Sequence, residues 1–302
     1  MLAADTTAGS GDDGDAAFTQ TITHFRSPQS YDVEHHKVRS VCDSHLTRRE
    51  AIIGAGLVAA AAIAKGSPKA AVAAPPPVEV MPGLFVNPRD AWGADLPPKA
   101  AILPETPQFL LVHHTASPND YGEGGARQVI RSAYSWHTSA AKGWPDVCYE
   151  FFIDHDGVVW EGRAGALAGP VRADATGGSQ GFAQLVCLVG DFTLTDPTAA
   201  MLDSLVSVLA WLGTRYSIDT YPDATTSFIS RGSERYKAGA LVTTPTIAGH
   251  RDMSFTTCPG DHIYRLLGSG LRDRVNAKRF AWMGVPPEHG VYHAQRLGRV
   301  AP

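Results

Sequence analysis

The spacing of apolar positions changes several times along the chain, and each change predicts an element. "PQFLLVHHTA" (Pro107 to Ala116) runs apolar into two histidines and reads as a buried strand that ends in a polar loop. "ARQVIRSAYSWHTSAA" (Ala126 to Ala141) has apolar residues at helical spacing. "VCYEFFIDHDGVVWEGR" (Val147 to Arg163) reads as a hairpin with Asp156-Gly157 at its turn, and "AQLVCLVGDF" as another buried strand. From Pro197 to Ser217, Met201, Leu202, Leu205, Val208, Leu209 and Leu212 fall on one helical face, with Asp196-Pro197 as the start signal. A loop rich in Ser, Thr, Asp and Gly follows, then "TPTIAGH" as a short strand. "DHIYRLLGSGLRDRVNAKR" is expected as one last helix. Alternating strands and helices predict an α/β class, with a mixed central β-sheet flanked by helices on both faces.

The first part of the chain reads differently. Residues 1–46 are acidic, Gly-rich and poor in large apolar side chains, as in "DTTAGSGDDGDAAF", and should form a disordered leader. Residues 47–74 have the layout of an export signal. Arg48 and Arg49 precede a weakly hydrophobic run, Ala51 to Ala64, and Ala71-Val72-Ala73 offers a small-residue cleavage site. The pattern resembles a twin-arginine signal and predicts an exported, extracytoplasmic protein, in the cell wall or secreted. The run is about 14 residues, short of the roughly 20 that span a bilayer, so membrane contact is expected only through the signal or an uncleaved anchor. Residues 75–86 read as a Pro-rich linker, 87–279 as the globular domain, and 280–302 as a tail.

Of the 302 residues, 44% are apolar, enough for a substantial core. A net charge of -4 and the lack of a dense Lys/Arg run argue against a nucleic-acid partner. None of the four cysteines (Cys42, Cys148, Cys187, Cys258) forms a C-x-x-C pair, which argues against a zinc ribbon or a thioredoxin-like site. Cys148 and Cys187 lie on expected strands and read either as a disulfide or as two buried thiols.

The candidate chemistry sits at three distant places. Side chains alternate along a strand, so Phe109, Leu111 and His113 share one face while Leu110, Val112 and His114 share the other. In "IAGHRDMSFTTCPGD" a histidine, His250, precedes a cysteine, Cys258, just before a Pro-Gly turn. Imidazole and thiolate are both good zinc ligands, and a catalytic zinc takes three protein ligands and keeps one position open. A folded-back loop could join His250 to Cys258, and helix N–H groups after Cys258 would favour its thiolate. The alternatives are a hydrogen-bonded structural His113, a loop His250 bonded to Asp252, and Cys258 as a small buried hydrophobe.

"NPRDAWGA", "LVHHTA", "GWPDVCYEFFID", "DGVVWEGR", "VCLVGDF" and "IAGHRDMSFTTCPGD" together resemble the peptidoglycan-recognition and type-2 N-acetylmuramoyl-L-alanine amidase family, in order and spacing. The resemblance implies zinc (Zn2+) bound by His113, His250 and Cys258. It also implies a catalytic Tyr149 that positions water or substrate, and Thr256 as donor to the developing oxyanion. The implied reaction is hydrolysis of the amide between N-acetylmuramic acid and L-alanine in peptidoglycan, a muramyl-peptide partner. The alternative is a peptidoglycan-binding module without catalysis. An amidase of soluble wall fragments shares the mechanism, but the export signal disfavours it. Alternation is expected to put Tyr149 on one face with Phe151 and Ile153, leaving Cys148 on the other. One departure stands out: "GPVRADATGGSQGFAQ" (Gly169 to Gln184) lacks the histidine common there in active relatives, with Gln180 at best replacing an asparagine. Glu150 stands where His or Asn is commoner. Trp92 and Trp136 read as core or groove-wall aromatics, and His137 as a groove residue or an exposed or capped histidine.

Overall fold

The computed structural model describes residues 74–284. The acidic leader, the signal up to residue 73 and the tail beyond residue 284 lie outside the described residues. Among the described residues, nine strands and six helices follow one another as β1 (Val78–Met81), β2 (Leu84–Asn87), α1 (Asp90–Gly93), β3 (Phe109–His114), α2 (Gly125–His137), β4 (Phe151–Ile153), β5 (Val159–Glu161), β6 (Ala183–Leu188), α3 (Ala199–Arg215), β7 (Thr225–Ile229), β8 (Leu241–Pro245), β9 (Ile247–Gly249), α4 (His250–Met253), α5 (Asp261–Gly268) and α6 (Leu271–Trp282). Seven strands form one sheet in the order β1-β2-β5-β4-β6-β3-β9, and β7 and β8 make a separate antiparallel ribbon.

The sheet is mixed, as expected. β3 pairs in parallel with β6 and β9, β4 in parallel with β6, and β4 with β5 as an antiparallel hairpin. The central strands are buried on both faces and therefore read as continuous apolar runs rather than alternating ones. β3 nonetheless divides by face. Leu110 and Val112 join the core under α3, α5 and α6, with Leu205, Leu209, Ile263 and Val275. Phe109 and Leu111 join the core under α1 and α2, with Trp92, Ile130 and Tyr134. The two layers of helices thus bury opposite sides of one sheet, the arrangement that lets an apolar strand hide both faces.

Helix α3 starts two residues later than its proline suggests, at Ala199. The Thr198 hydroxyl accepts the Met201 amide at 3.1 Å, satisfying one of the orphan N–H groups of the first turn. Three expectations need correction. The stretch 75–86 is not simply a linker, because Val78–Met81 and Leu84–Asn87 pair with each other and extend the sheet beside β5. The Ser/Thr-rich stretch after α3 carries the β7–β8 ribbon, whose period-two pattern (Phe228, Val242 and Thr244 in; Thr225, Ser227 and Thr243 out) is hidden by its Thr and Ser content. The last helix is two, α5 and α6, separated at Ser269-Gly270, where Gly270 has φ 104°.

On the α3 side of the sheet two acids are buried together. Glu150 accepts the Leu185 amide at 2.7 Å, and Glu105 accepts the Gln184 side-chain amide at 2.6 Å. Burial pushes Glu105 up to about 8, against the attraction of Arg163 and Arg172. Burial raises Glu150 well above the ordinary carboxylate range as well, helped by repulsion from Glu105 and opposed by Arg163. An ordinary glutamate titrates near 4.5. Between that pH and the raised folded value the native state therefore holds more protons than the unfolded chain, and stability falls as pH rises. The unfolding free energy is expected to decline from pH 5 toward pH 8 by up to about 1.4 kcal/mol per pH unit for each retained proton, and the melting temperature falls with it. Glu105→Gln, which keeps a carbonyl acceptor for Gln184, should flatten that decline and raise the melting temperature most at pH 8. Thermal scans across this range check it; a wild-type profile that rises toward pH 8 contradicts it.

Candidate metal centre

The parallel register of β3 and β9 brings the first two ligand candidates together. Val112 stands opposite Gly249, so one further step along both chains sets His113 beside His250. Their rings lie 4.3 Å apart between centroids, and both side chains are buried. This is the carboxyl end of the parallel strands, where α/β sheets place their ligand sites. His114, on the other face, accepts the Phe192 amide through Nδ1 at 3.3 Å. Alternation along β3 therefore assigns one histidine to each side of the sheet.

Cys258 reaches the same point because its loop folds back over α4. The Arg251 amide donates to the Cys258 carbonyl at 3.0 Å, and Ser254 N–H to the His250 carbonyl at 3.0 Å. The Arg251 guanidinium bonds the Thr257 carbonyl and pairs with Asp261 at 2.8 Å. Gly260 closes the fold-back at φ 89°, so close to the chain that a Cβ there would stand 2.3 Å from the Phe192 carbonyl carbon. Only glycine fits such a contact in that conformation. Asp252 anchors the other side, accepting the Gly249 amide at 2.8 Å and the Tyr264 hydroxyl at 2.6 Å. That carboxylate, followed by burial, raises the Tyr264 pKa. The Asp252 oxygens bond Gly249 and Tyr264, so the reading of His250 as a loop histidine held by Asp252 is not what the structure has.

The three donor atoms fit one small cation. One atom from each of His113, His250 and Cys258 lies within 4.8 Å of the other two, and all three residues are buried. Cys258 Sγ stands 3.6 Å from His113 Nδ1. That separation matches the roughly 3.6 Å edge of a tetrahedron built from Zn–S of about 2.3 Å and Zn–N of about 2.05 Å. His250 Nδ1 is buried with no hydrogen-bond partner among the described residues, an expensive state for a ring nitrogen unless a ligand completes it. The His114 amide donates to Cys258 Sγ at 3.4 Å, which favours the thiolate. The amide thus comes from strand β3 rather than from the following helix.

Tyr149 packs its ring against His113 (5.1 Å between centroids), Phe152 (5.4 Å) and His137 (5.7 Å). It shares a core with Cys148 and Phe152, while Phe151 and Ile153 lie in the opposite one. The expected alternation therefore fails before β4. Strand geometry begins only at Phe151, and the irregular backbone before it turns Tyr149 and Cys148 to the same side. Thr256 is half-buried, and its hydroxyl accepts the Cys258 amide at 3.2 Å. His137 is buried, with Nδ1 accepting the Cys148 amide at 3.2 Å and Nε2 3.5 Å from the Cys148 sulfur. Cys187, also buried, has its sulfur 3.8 Å from the Leu188 carbonyl. Trp92 is a core residue that donates to the Glu161 carbonyl at 2.6 Å, whereas Trp136 is 42% exposed. Sequence reading missed Arg251 and Tyr264 and gave Asp252 a different partner, His250; these three residues hold the loop. Asp252, three positions past Gly249, carried the signal of a helix start; Arg251 and Tyr264 carried none.

A family model described as N-acetylmuramoyl-L-alanine amidase matches residues 103–261, more than half of the chain and all three ligand candidates. An N-acetylmuramoyl-L-alanine amidase of Sus scrofa is 30% identical over 200 residues, covering 64% of this chain and 28% of that protein. The Homo sapiens protein of the same name is 34% identical over 191 residues, covering 60% and 27%. The chain thus spans under a third of the length of these relatives. Among solved structures, Drosophila peptidoglycan recognition protein SD aligns at 21% identity with a TM-score of 0.48, over 62% of this chain and 94% of that one.

Because Arg251 joins the two ligand-bearing ends of the loop, Arg251→Ala should weaken metal binding by about 10- to 100-fold without unfolding the sheet. Competition against a chromophoric chelator, with circular dichroism on the same samples, measures both. Unchanged affinity would contradict the assigned role.

Proposed function

The chain belongs to the N-acetylmuramoyl-L-alanine amidase family, and we propose that it is an exported zinc amidohydrolase that cleaves the amide joining N-acetylmuramic acid to L-alanine in peptidoglycan. The observation that carries this reading is the convergence of His113, His250 and Cys258, three donors from distant parts of the sequence, within 4.8 Å. Three buried donors aimed at one point suit a catalytic zinc, which takes three protein ligands and keeps a fourth position open.

His113, His250 and Cys258 would hold the zinc. Bound there, the ion supplies a Lewis acid for the scissile carbonyl and an acidified water at neutral pH. The chain supplies the rest. Tyr149, fixed between His113, His137 and Phe152, orients the water or the substrate amide by its hydroxyl. Thr256, tethered to the Cys258 amide, donates toward the oxygen that gains charge in the transition state. The buried acids Glu105 and Glu150 belong to the opposite side of the sheet, so neither serves as general base. The Arg48-Arg49 signal supports action outside the cytoplasmic membrane, by the twin-arginine route. No helix among the described residues is long and apolar enough to cross a membrane.

The substituted loop at 169–184, which carries no histidine, is the one feature that favours a non-catalytic peptidoglycan binder, and a single experiment separates the two. Purified protein should bind about one zinc per chain and release L-alanine amino termini from peptidoglycan in a chelator-sensitive manner. Cys258→Ser should abolish release, and Tyr149→Phe should lower kcat by roughly 100-fold. Binding to sacculi without amine release at any zinc loading establishes the binding module instead.

A further inference from the structure

The β7–β8 ribbon is the part of the fold that the proposed reaction leaves unused. We propose that the loop joining its strands is a carboxylate-binding element for the peptide moiety of the substrate, with Arg235 and Arg231 as the receptors. The proposal rests on the muramyl-peptide reading above and deepens it.

The loop lies against both segments that border the metal centre. Arg231 N–H donates to the Gly178 carbonyl at 2.8 Å. Gly178 approaches so closely that a Cβ there would stand 2.7 Å from Ser230 Oγ, and its neighbour Gly177 would meet Ser254 Oγ at 2.4 Å. On the ligand side, Arg235 Nη1 donates to the Arg251 carbonyl at 2.8 Å, and the Tyr236 hydroxyl to the Asp252 carbonyl at 3.1 Å. Arg251 and Asp252 immediately follow His250. The ribbon loop is thereby bound to the metal-bearing loop and to the divergent 169–184 segment at once.

Both guanidinium groups are exposed yet held in place. Arg231 stacks over Phe182, 5.0 Å from its ring centroid. Arg235 stands 5.6 Å from the ring centroids of Tyr236 and of Phe255, and its Nε donates to the Tyr236 hydroxyl at 3.2 Å. Neither forms an ion pair among the described residues, whereas Arg89, Arg131, Arg163, Arg251 and Arg274 each pair with an aspartate. The chain as a whole is acidic, with net charge -4, and the loop itself carries Glu234 between the two arginines, yet neither guanidinium pairs with that carboxylate among the described residues, so both cations stay available to a ligand. A guanidinium fixed by stacking, and for Arg235 also by its bond to the Arg251 carbonyl, has already lost much of the rotamer entropy that binding would cost, and its planar fork matches a carboxylate. Phe255, 62% exposed beside Arg235, adds an apolar surface on the loop that carries Cys258. A peptide attached at the scissile amide ends in a carboxylate, which is the chemistry two such forks recognise.

The test compares an N-acetylmuramoyl pentapeptide bearing free carboxylates with the same compound fully amidated. Binding is measured by calorimetry on the zinc-loaded full chain for wild type, Arg235→Ala, Arg235→Lys and Arg231→Ala, with metal content determined in each. Each alanine variant should lose about ten-fold in affinity for the acidic compound and little for the amidated one, while Arg235→Lys loses less than Arg235→Ala. In turnover the loss should appear in KM with kcat retained. Equal losses for both compounds, or none, would overturn the proposal. Arg231→Ala carries the test alone if Arg235→Ala sheds metal. Wild-type protein that binds the acidic compound preferentially but never hydrolyses it refutes the amidase reading while leaving this one standing.

Discussion

One geometric constraint organises the molecule: the parallel register that sets the end of β3 against the end of β9. A parallel pair with Val112 opposite Gly249 leaves His113 and His250 side by side at the carboxyl edge, with their rings 4.3 Å apart. A slip of one residue would turn His113 to the opposite face and bring His114 forward. The apolar residues that precede them enforce the register. Leu110 and Val112 are buried in one core, Phe109 and Leu111 in the other, and neither pair could exchange places without exposing or overfilling a face. Thus the helices on both sides, far from any chemistry, decide which histidine is available.

The third donor needs a different device, because no regular element connects positions eight residues apart at that distance. Here the chain uses backbone bonds and one cation. Arg251 ties its own amide and guanidinium to the carbonyls of Cys258 and Thr257, Asp252 fastens Gly249 and Tyr264, and Gly260 permits the return past Phe192. The His114 amide then meets the sulfur from the sheet side. These bonds hold the loop so that the three donor candidates lie within 4.8 Å of one another, the kind of support that a metal site needs from its surroundings.

Much of this was legible in the residue order. The four-residue apolar run before His113-His114 announces a strand buried on both sides, and the family resemblance names the three donor candidates that the fold brings together. Less legible were the parts where local pattern and tertiary context disagree. Thr and Ser on the outer face of the β7–β8 ribbon disguise its alternation as loop. The Pro-rich segment before Val78 suggests a linker, yet the short strands that follow it pair with each other, and the second of them with the edge of β5. Tyr149 was expected to follow strand alternation, but it precedes the strand, and the irregular backbone turns it toward His113 regardless. Glu150 shows the same lesson from the other side: a carboxylate in the middle of an apolar run is buried beneath the sheet, not aimed at the site.

The central claim is that two imidazoles and one thiolate bind a single zinc ion. X-ray absorption at the zinc edge of the loaded protein tests it most directly. The account predicts one sulfur at about 2.3 Å and two imidazole nitrogens at about 2.0–2.1 Å, with a further light atom completing four-fold coordination. A zinc shell made of nitrogen and oxygen alone, with no sulfur, would contradict it.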